Sequence, residues 1–181
     1  MKTFWRKEPL SEKEVLLLFE LRRAHFVCAF RNNASSEVFR ITADATVDLF
    51  RSMSAALSTL GVNHAPIEQI YDFLVNTPAE LPKICIGWGS SFIKEQDDPE
   101  FKGTIKLLYE LNPTLVRHIY GITKKLHDSG KKVYPNPGCW TAATAITLGM
   151  TKEISPYLII SPRIEAWATI FYQLQVTSAS E

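Results

Sequence analysis

The stretch KKVYPNPGCWTAATAITLGM, residues 131–150, decides how we interpret this chain. Two prolines restrict φ in its first half, and Asn136 and Gly138 tolerate turn conformations. From Thr141 to Leu148 most residues are small, so another backbone can approach closely. The stretch therefore predicts a turn that leads directly into a tightly packed helix, which is the local geometry of a site. A connector between two buried helices explains the pattern equally well.

The composition indicates one globular domain. A chain of 181 residues can bury roughly 70% of its unfolded surface without disulfides or metal. Its 20 basic and 19 acidic residues are interspersed, and a net charge of +1 gives no basic surface for nucleic acid or an anionic membrane. We expect a single domain over residues 1–181, with frayed ends at 1–10 and 176–181, and neither nucleic acid nor membrane as a partner.

The cysteines and the N-terminal sequence predict where the protein resides. Cys28, Cys85 and Cys139 are odd in number and far apart, and each lies in an apolar run. This pattern is typical of buried thiols in a reducing compartment. Residues 1–9 do not resemble a signal peptide, and no apolar run reaches the ~18 residues of a membrane span. We expect a cytoplasmic protein that requires no metal or cofactor.

Capping signals and apolar periodicity predict a chain that is helical almost throughout. Ser11 and Glu14 form a capping box that begins the first helix. Further helices are predicted from about residue 34, and over 46–60, 65–74, 97–111, 113–129, 154–160 and 163–174. Residues 84–91 form the most β-like stretch. We therefore expect a compact all-α fold with at most one short extended pair, and with Trp140 and Trp167 buried.

Five groups of residues between positions 15 and 175 form a recognisable series. They are Asn33-Ala34-Ser35 with Arg40 and Asp48-Leu49-Phe50, Leu60-Gly61-Val62-Asn63-His64, Gly87-Trp88-Gly89-Ser90 with Asp98-Pro99-Glu100, Pro135-Asn136-Pro137-Gly138 with the helix to Met150, and Arg163-Ile164-Glu165-Ala166-Trp167-Ala168. In order and spacing, this series resembles the citrate synthase and citryl-CoA lyase superfamily. The resemblance implies an all-α core of packed helices that works as a homodimer.

The resemblance also implies which catalytic groups are kept and which are lost. His64 matches the histidine that steadies the enol of an acetyl thioester, and Arg163 matches an arginine that binds a carboxylate of the keto acid. Ser90 stands in place of the second histidine, and Gly138 in place of the aspartate that removes the α-proton. Because serine and glycine cannot replace these groups at pH 7, we expect no ordinary citrate synthesis. Two further substrate-contacting positions, an arginine and a histidine in the family, are Glu100 and Phe30 here.

These matches define the predicted site residues. The catalytic candidates are His64, Ser90 and Cys139, and the ligand-binding candidates are Arg163, Asn136 and Gly138. Cys139 could pair with His64 as nucleophile and base, although the sequence favours a buried inert thiol. His64 could also simply cap the helix that begins near Pro66.

The charge on Arg163 requires an explanation at its predicted position. It follows Pro162 at a predicted helix N-terminus, where the helix dipole disfavours a cation. An anion should therefore lie nearby. Glu165 is one candidate, and a ligand carboxylate is the other.

Three functions are compatible with the sequence. The first is a diverged protein that binds a small carboxylic acid or an acyl-CoA thioester in the retained cleft. The second is a non-catalytic interaction protein built on the helical dimer core, with the small faces of 48–60 and 141–148 packed against a second copy. The third is an enzyme that forms or cleaves a carbon–carbon bond of an acyl-CoA with a replaced base.

Overall fold

The computed structural model describes residues 8–31, 33–60, 65–90 and 96–178. Helices make up 68% of the structure, and these residues contain eight α-helices and no strand, which confirms the all-α prediction. The helices are α1 (Glu12–Cys28), α2 (Ala34–Thr46), α3 (Leu49–Leu57), α4 (Ile67–Val75), α5 (Lys102–Leu111), α6 (Pro113–Asp128), α7 (Pro137–Thr147) and α8 (Tyr157–Ser178), with a 3₁₀ turn (Pro99–Phe101) before α5. None of these helices is long and apolar enough to cross a membrane.

Local capping explains where the helices near the site begin. Ser11 and Glu14 form the predicted capping box of α1, with the Ser11 N–H 2.7 Å from Oε2 of Glu14. Asn33 caps α2, and Asn136 caps α7 by accepting a hydrogen bond from the backbone N–H of Cys139 at 3.2 Å. Such side-chain acceptors satisfy N–H groups that have no partner within the helix.

The C-terminal helix differs from the prediction. α8 unites the two helices predicted over 154–160 and 163–174. Pro162 lies inside it, where the ring removes one backbone donor, but burial of Leu158 and Trp167 stabilises the continuous helix. Arg163 therefore lies in the helix interior, and its predicted place at a helix N-terminus is wrong.

The described residues include a part of each predicted frayed end. Leu10 is buried and belongs to the larger apolar cluster. α8 continues to Ser178, beyond the start of the predicted C-terminal frayed segment at position 176. Residues 1–7 and 179–181 lie outside the described part of the chain.

The apolar side chains form two clusters. The larger one contains Trp140 and is formed by residues of α1, α4, α5, α6, α7 and α8. The smaller one is formed by residues of α2, α3 and α8 around Trp167. Both tryptophans are fully buried, as predicted, and Trp167 stacks on Phe39 with ring centroids 5.7 Å apart. Ala56 and the alanines of α7 are buried as well. These alanines therefore pack inside the chain, and the predicted packing of the two small faces against a second copy stays a prediction.

The β-like stretch forms a single bridge. Trp88 pairs with Pro135, the N–H of Gly89 donates to the carbonyl of Tyr134 at 2.8 Å, and the N–H of Asn136 donates to that of Gly87 at 2.9 Å. This pairing holds the 85–90 segment against the start of α7 and so forms one wall of the cavity described next.

Candidate functional site

A cavity of about 590 Å³ lies where the end of α1, the start of α2, the 84–90 segment, the start of α7 and α8 meet. Four predicted site residues line it, namely Ser90, Asn136, Gly138 and Arg163. Cys139 is fully buried and does not line the cavity. His64 lies outside the described residues, so its predicted catalytic role stays a prediction.

Arg163 supplies a buried positive charge to the cavity wall. Its side chain extends from α8, and the residue is only 6% exposed. Nη1 donates a hydrogen bond to Oγ of Ser35, at 2.5 Å. Burial lowers the pKa of Arg163 to about 10, so the side chain is still charged at neutral pH. Glu165, one of its two candidate anions, forms an ion pair with Arg22 of α1.

Ser35 and Asn33 fix the position of the arginine. The hydroxyl of Ser35 donates to Oδ1 of Asn33 at 3.0 Å, and Nδ2 of Asn33 donates to the carbonyl oxygens of Cys28 and Arg31. The same Oδ1 accepts from the backbone N–H of Ser36. This network joins the end of α1 and the start of α2 to α8 through buried hydrogen bonds.

A partly buried ion pair, which sequence reasoning missed, also lines the cavity. Arg31 donates to both carboxylate oxygens of Asp98, from Nη1 at 2.6 Å and from Nη2 at 3.2 Å. Asp98 is 5% exposed, and Oε1 of Glu100 lies 3.7 Å from Nη2 of Arg31. The hydrogen bond that Arg31 donates to Asp98 raises the pKa of Arg31. Asp98 also caps the 3₁₀ turn, a role that the Asp-Pro sequence signals, but its arginine partner is 67 residues away.

Asn136 lines the cavity with a side chain that is already hydrogen-bonded at both ends. Oδ1 accepts from the N–H of Cys139, and Nδ2 donates to the carbonyl of Gly89 at 3.1 Å. These bonds lock the turn onto the 87–89 segment. Asn136 therefore positions the wall, and its predicted contact with a ligand stays a prediction.

Gly138, at the position of the lost aspartate, faces an apolar neighbour. A Cβ atom built here would lie 2.8 Å from Cδ1 of Ile70 and 3.1 Å from Oδ1 of Asn136. Ile70 thus takes up the space beside this position, and a side chain could enter only if Ile70 moved.

The placement of Cys139 favours the inert thiol over the nucleophile. Burial raises the pKa of this thiol well above its ordinary value. Because the thiolate is the nucleophile, a protonated and fully buried thiol cannot attack a ligand. The described residues also contain no group of three or more His, Cys, Asp or Glu side chains that could hold a metal ion.

Comparison with known proteins bears on the fold. No known sequence-family profile matches the chain, and no curated protein matches it by sequence. Its structure is similar to that of a citryl-CoA lyase from Hydrogenobacter thermophilus, with a TM-score of 0.73 and 16% sequence identity over 92% of this chain and 71% of the lyase chain. At that identity the likeness shows the fold alone. The chain therefore has the all-α fold of citrate synthase and citryl-CoA lyase, as its motif order indicated.

Proposed function

We propose that this chain binds a small carboxylic acid or an acyl-CoA thioester in the cavity and does not carry out ordinary citrate synthesis. The observation that carries the proposal is the buried, charged side chain of Arg163 in the cavity wall. Guanidinium groups form strong, charge-assisted hydrogen bonds with carboxylates. The solved relative is named for a CoA thioester, which supports the choice of ligand class.

The size and lining of the cavity fit a small molecule. A volume of about 590 Å³ lies within the usual range of small-molecule sites, about 300–1,000 Å³. Apolar side chains accompany the polar ones, among them Ile70, Ile86 and Ile159. A ligand with one anionic end and an aliphatic body would match both kinds of surface.

The missing base argues against catalysis. Among the described residues that line the cavity, Asp98 carries the only carboxylate, and that group is bound by Arg31 through two hydrogen bonds. Glycine and serine occupy the positions of the family's aspartate and second histidine. A general acid or base typically contributes 10²–10⁴-fold to a rate, so the loss of two such groups removes about four to eight powers of ten.

Isothermal titration calorimetry with citrate, oxaloacetate, acetyl-CoA and CoA tests this proposal. We expect binding of at least one ligand by the unmodified protein, its loss in Arg163→Met, and partial retention in Arg163→Lys, which keeps the charge. Arg22→Ala is the matched control, because it removes an exposed arginine that pairs with α8 outside the cavity. Circular dichroism confirms that each variant is folded. Absence of binding for every ligand by the folded, unmodified protein would refute the proposal.

We propose in addition that the chain forms a homodimer in the cytoplasm. Phe50 at the start of α3 is 78% exposed, and Ile41 on α2 is 63% exposed. Large exposed apolar side chains on neighbouring helices are typical of interaction surfaces. Sedimentation should show a dimer for the unmodified protein and a monomer for Phe50→Glu, whereas Phe19→Glu on α1 should stay dimeric. A monomeric unmodified protein at micromolar concentration would contradict this second proposal.

A further inference from the structure

The described lining of the cavity has two unlike parts. One part is a hydrogen-bonded network of polar side chains from the end of α1, the start of α2, the residue before the 3₁₀ turn and α8, namely Arg31, Asn33, Asp98 and Arg163 with Ser35 between two of them. The other part is formed by α4, the 84–90 segment and the start of α7. In this second part Ile70 lines the cavity from α4, and the amide of Asn136 is bonded to backbone at both ends. A carboxylate therefore suits the first part, and an aliphatic chain suits the second.

Ile70 closes the second part of the cavity. Its Cγ2 atom lies 3.0 Å from the point that a Cβ on Gly87 would occupy, and its Cδ1 atom lies 2.8 Å from the corresponding point at Gly138. Because neither position has a side chain, the isoleucine fills the space between the 84–90 segment and α7. Ile70 lines the cavity and yet is almost fully buried, so it is a tightly packed wall.

The apolar core continues directly behind this wall. Cδ1 of Ile67 lies 3.5 Å from the Cβ position of Gly138, and Cβ of Cys139 lies 3.5 Å from that of Gly87. Both Ile67 and Cys139 are buried, and neither lines the cavity. Since protein interiors are close-packed, no space for a further methylene group is expected there. An aliphatic chain that enters this part of the cavity should stop at Ile70.

We propose that Ile70 sets the length of the aliphatic chain that the cavity accepts, and that the ligand is a straight-chain acid or its thioester. This inference rests on the proposed function, and it names the ligand class and a residue that determines specificity at that site. A chain that just reaches Ile70 buries all its methylene groups, each worth about fourfold in affinity. A longer chain would have to displace packed side chains, which is unfavourable.

Isothermal titration calorimetry with straight-chain acids tests the length limit. The acids are acetate, butyrate, hexanoate, octanoate and decanoate. For the unmodified protein the affinity should rise with chain length up to one acid and fall for longer ones. Ile70→Ala removes three carbon atoms, so the limit should move to an acid that is longer by two carbons. That acid should bind about tenfold more tightly to the variant than to the unmodified protein, since two more methylene groups are buried.

Leu74→Ala is the matched control for the loss of packing. Leu74 lies one turn further along α4, is buried in the same apolar cluster and does not line the cavity. The change also removes three carbon atoms from the core. It should leave the length limit where it is, and circular dichroism confirms that both variants are folded.

A second measurement needs no ligand. Methyl methanethiosulfonate modifies accessible thiols, and peptide mass spectrometry separates Cys139 from Cys28 and Cys85. If Ile70 is the wall between the cavity and the core, Cys139 should stay unmodified in the unmodified protein and in Leu74→Ala. It should react in Ile70→Ala, because a thiol must be accessible to react.

The outcomes separate this inference from the proposed function. An affinity that rises through decanoate in the unmodified protein, or the same limit in Ile70→Ala, would overturn the role of Ile70. Reaction of Cys139 in the unmodified protein, or its protection in Ile70→Ala, would overturn it as well. If the straight-chain acids do not bind while citrate or acetyl-CoA binds in an Arg163-dependent way, the inference fails and the proposed function stands. Absence of binding for every acid and thioester would overturn both.

Discussion

Oγ of Ser35 lies 2.5 Å from Nη1 of Arg163, and both residues are buried. One bond thus links the first turn of α2 to the interior of α8 across 128 positions of sequence. Because the donor is charged, the bond belongs to the stronger class of protein hydrogen bonds. The place of Arg163 in the cavity wall depends on a small polar residue at the start of another helix.

Ser35→Ala should therefore reduce both stability and ligand binding. Removal of an acceptor from a buried charged donor costs about 1.5–3 kcal/mol in the free energy of unfolding. Ser36→Ala is the matched control, since Ser36 accepts a 3.2 Å bond from the neutral indole of Trp167, and it should cost only about 0.5–1.5 kcal/mol. Urea denaturation measures the free energy of unfolding of both variants. Equal costs for the two variants would contradict the charged-donor argument.

A buried histidine should make the fold sensitive to mild acid. His25 is fully buried, with Nε2 2.7 Å from Oγ1 of Thr141 and its ring edge-on to Phe101. Burial, and next the charge of Arg163, lower the pKa of His25 well below its ordinary 6.5. Below about pH 6.5 the unfolded chain binds a proton that the folded chain does not, so stability falls as the pH falls.

The expected slope is about 1.4 kcal/mol per pH unit below pH 6.5, added to the contributions of other groups. Denaturation at pH 7, 6 and 5 measures it in the unmodified protein and in His25→Met. The variant should be less stable at pH 7, because it loses the bond to Thr141, and its pH dependence should be flatter by that amount. Parallel slopes in the two proteins would refute the assignment to His25.

The sequence predicted those parts of the site that are governed by local chemistry. The capping box at Ser11 and Glu14 depends on residues three positions apart, and it is confirmed. Burial of Trp140 and Trp167 follows from their apolar neighbours and is also confirmed. Short-range hydrogen bonding and hydrophobicity suffice for such features.

The parts that the sequence missed depend on contacts between distant residues. Pro162 marks a break in a helix read in isolation, but packing of α8 against the rest of the chain overrides that local preference. The pairing of Arg31 with Asp98 spans 67 positions, and no local pattern indicates which of the acidic residues an arginine will contact.

The crowding at Gly138 can be measured as a coupling with Ile70. A Cβ at position 138 would lie 2.8 Å from Cδ1 of Ile70, and Ile70→Val removes that one atom. Gly138→Ala should therefore be more favourable in the Ile70→Val background, by at least about 0.5 kcal/mol in the free energy of unfolding. A double-mutant cycle by urea denaturation gives the coupling. Additive effects would show that Ile70 does not occupy the space beside this position.

The two glycines of the bridge segment should differ in their tolerance of alanine. Gly87 and Gly89 have φ values of +89° and +88°, so a side chain at either position is strained, at a cost of order 1–3 kcal/mol. At Gly87 a Cβ would also lie 3.0 Å from Cγ2 of Ile70 and 3.5 Å from Cβ of Cys139, whereas at Gly89 the nearest atom is 3.7 Å away. Gly87→Ala should therefore be the more destabilising change.

Thermal denaturation of Gly87→Ala and Gly89→Ala separates steric crowding from backbone strain, because the two variants share the strain and only the first adds the contact. Ile70→Val retains Cγ2, so it should not rescue Gly87→Ala, although it relieves Gly138→Ala. Ile70→Ala removes both atoms and should reduce the difference between the two glycine variants. If Gly89→Ala is equally or more destabilising, Ile70 does not pack against this turn as described. The conclusion that Ile70 blocks a side chain at position 138 would then be wrong as well.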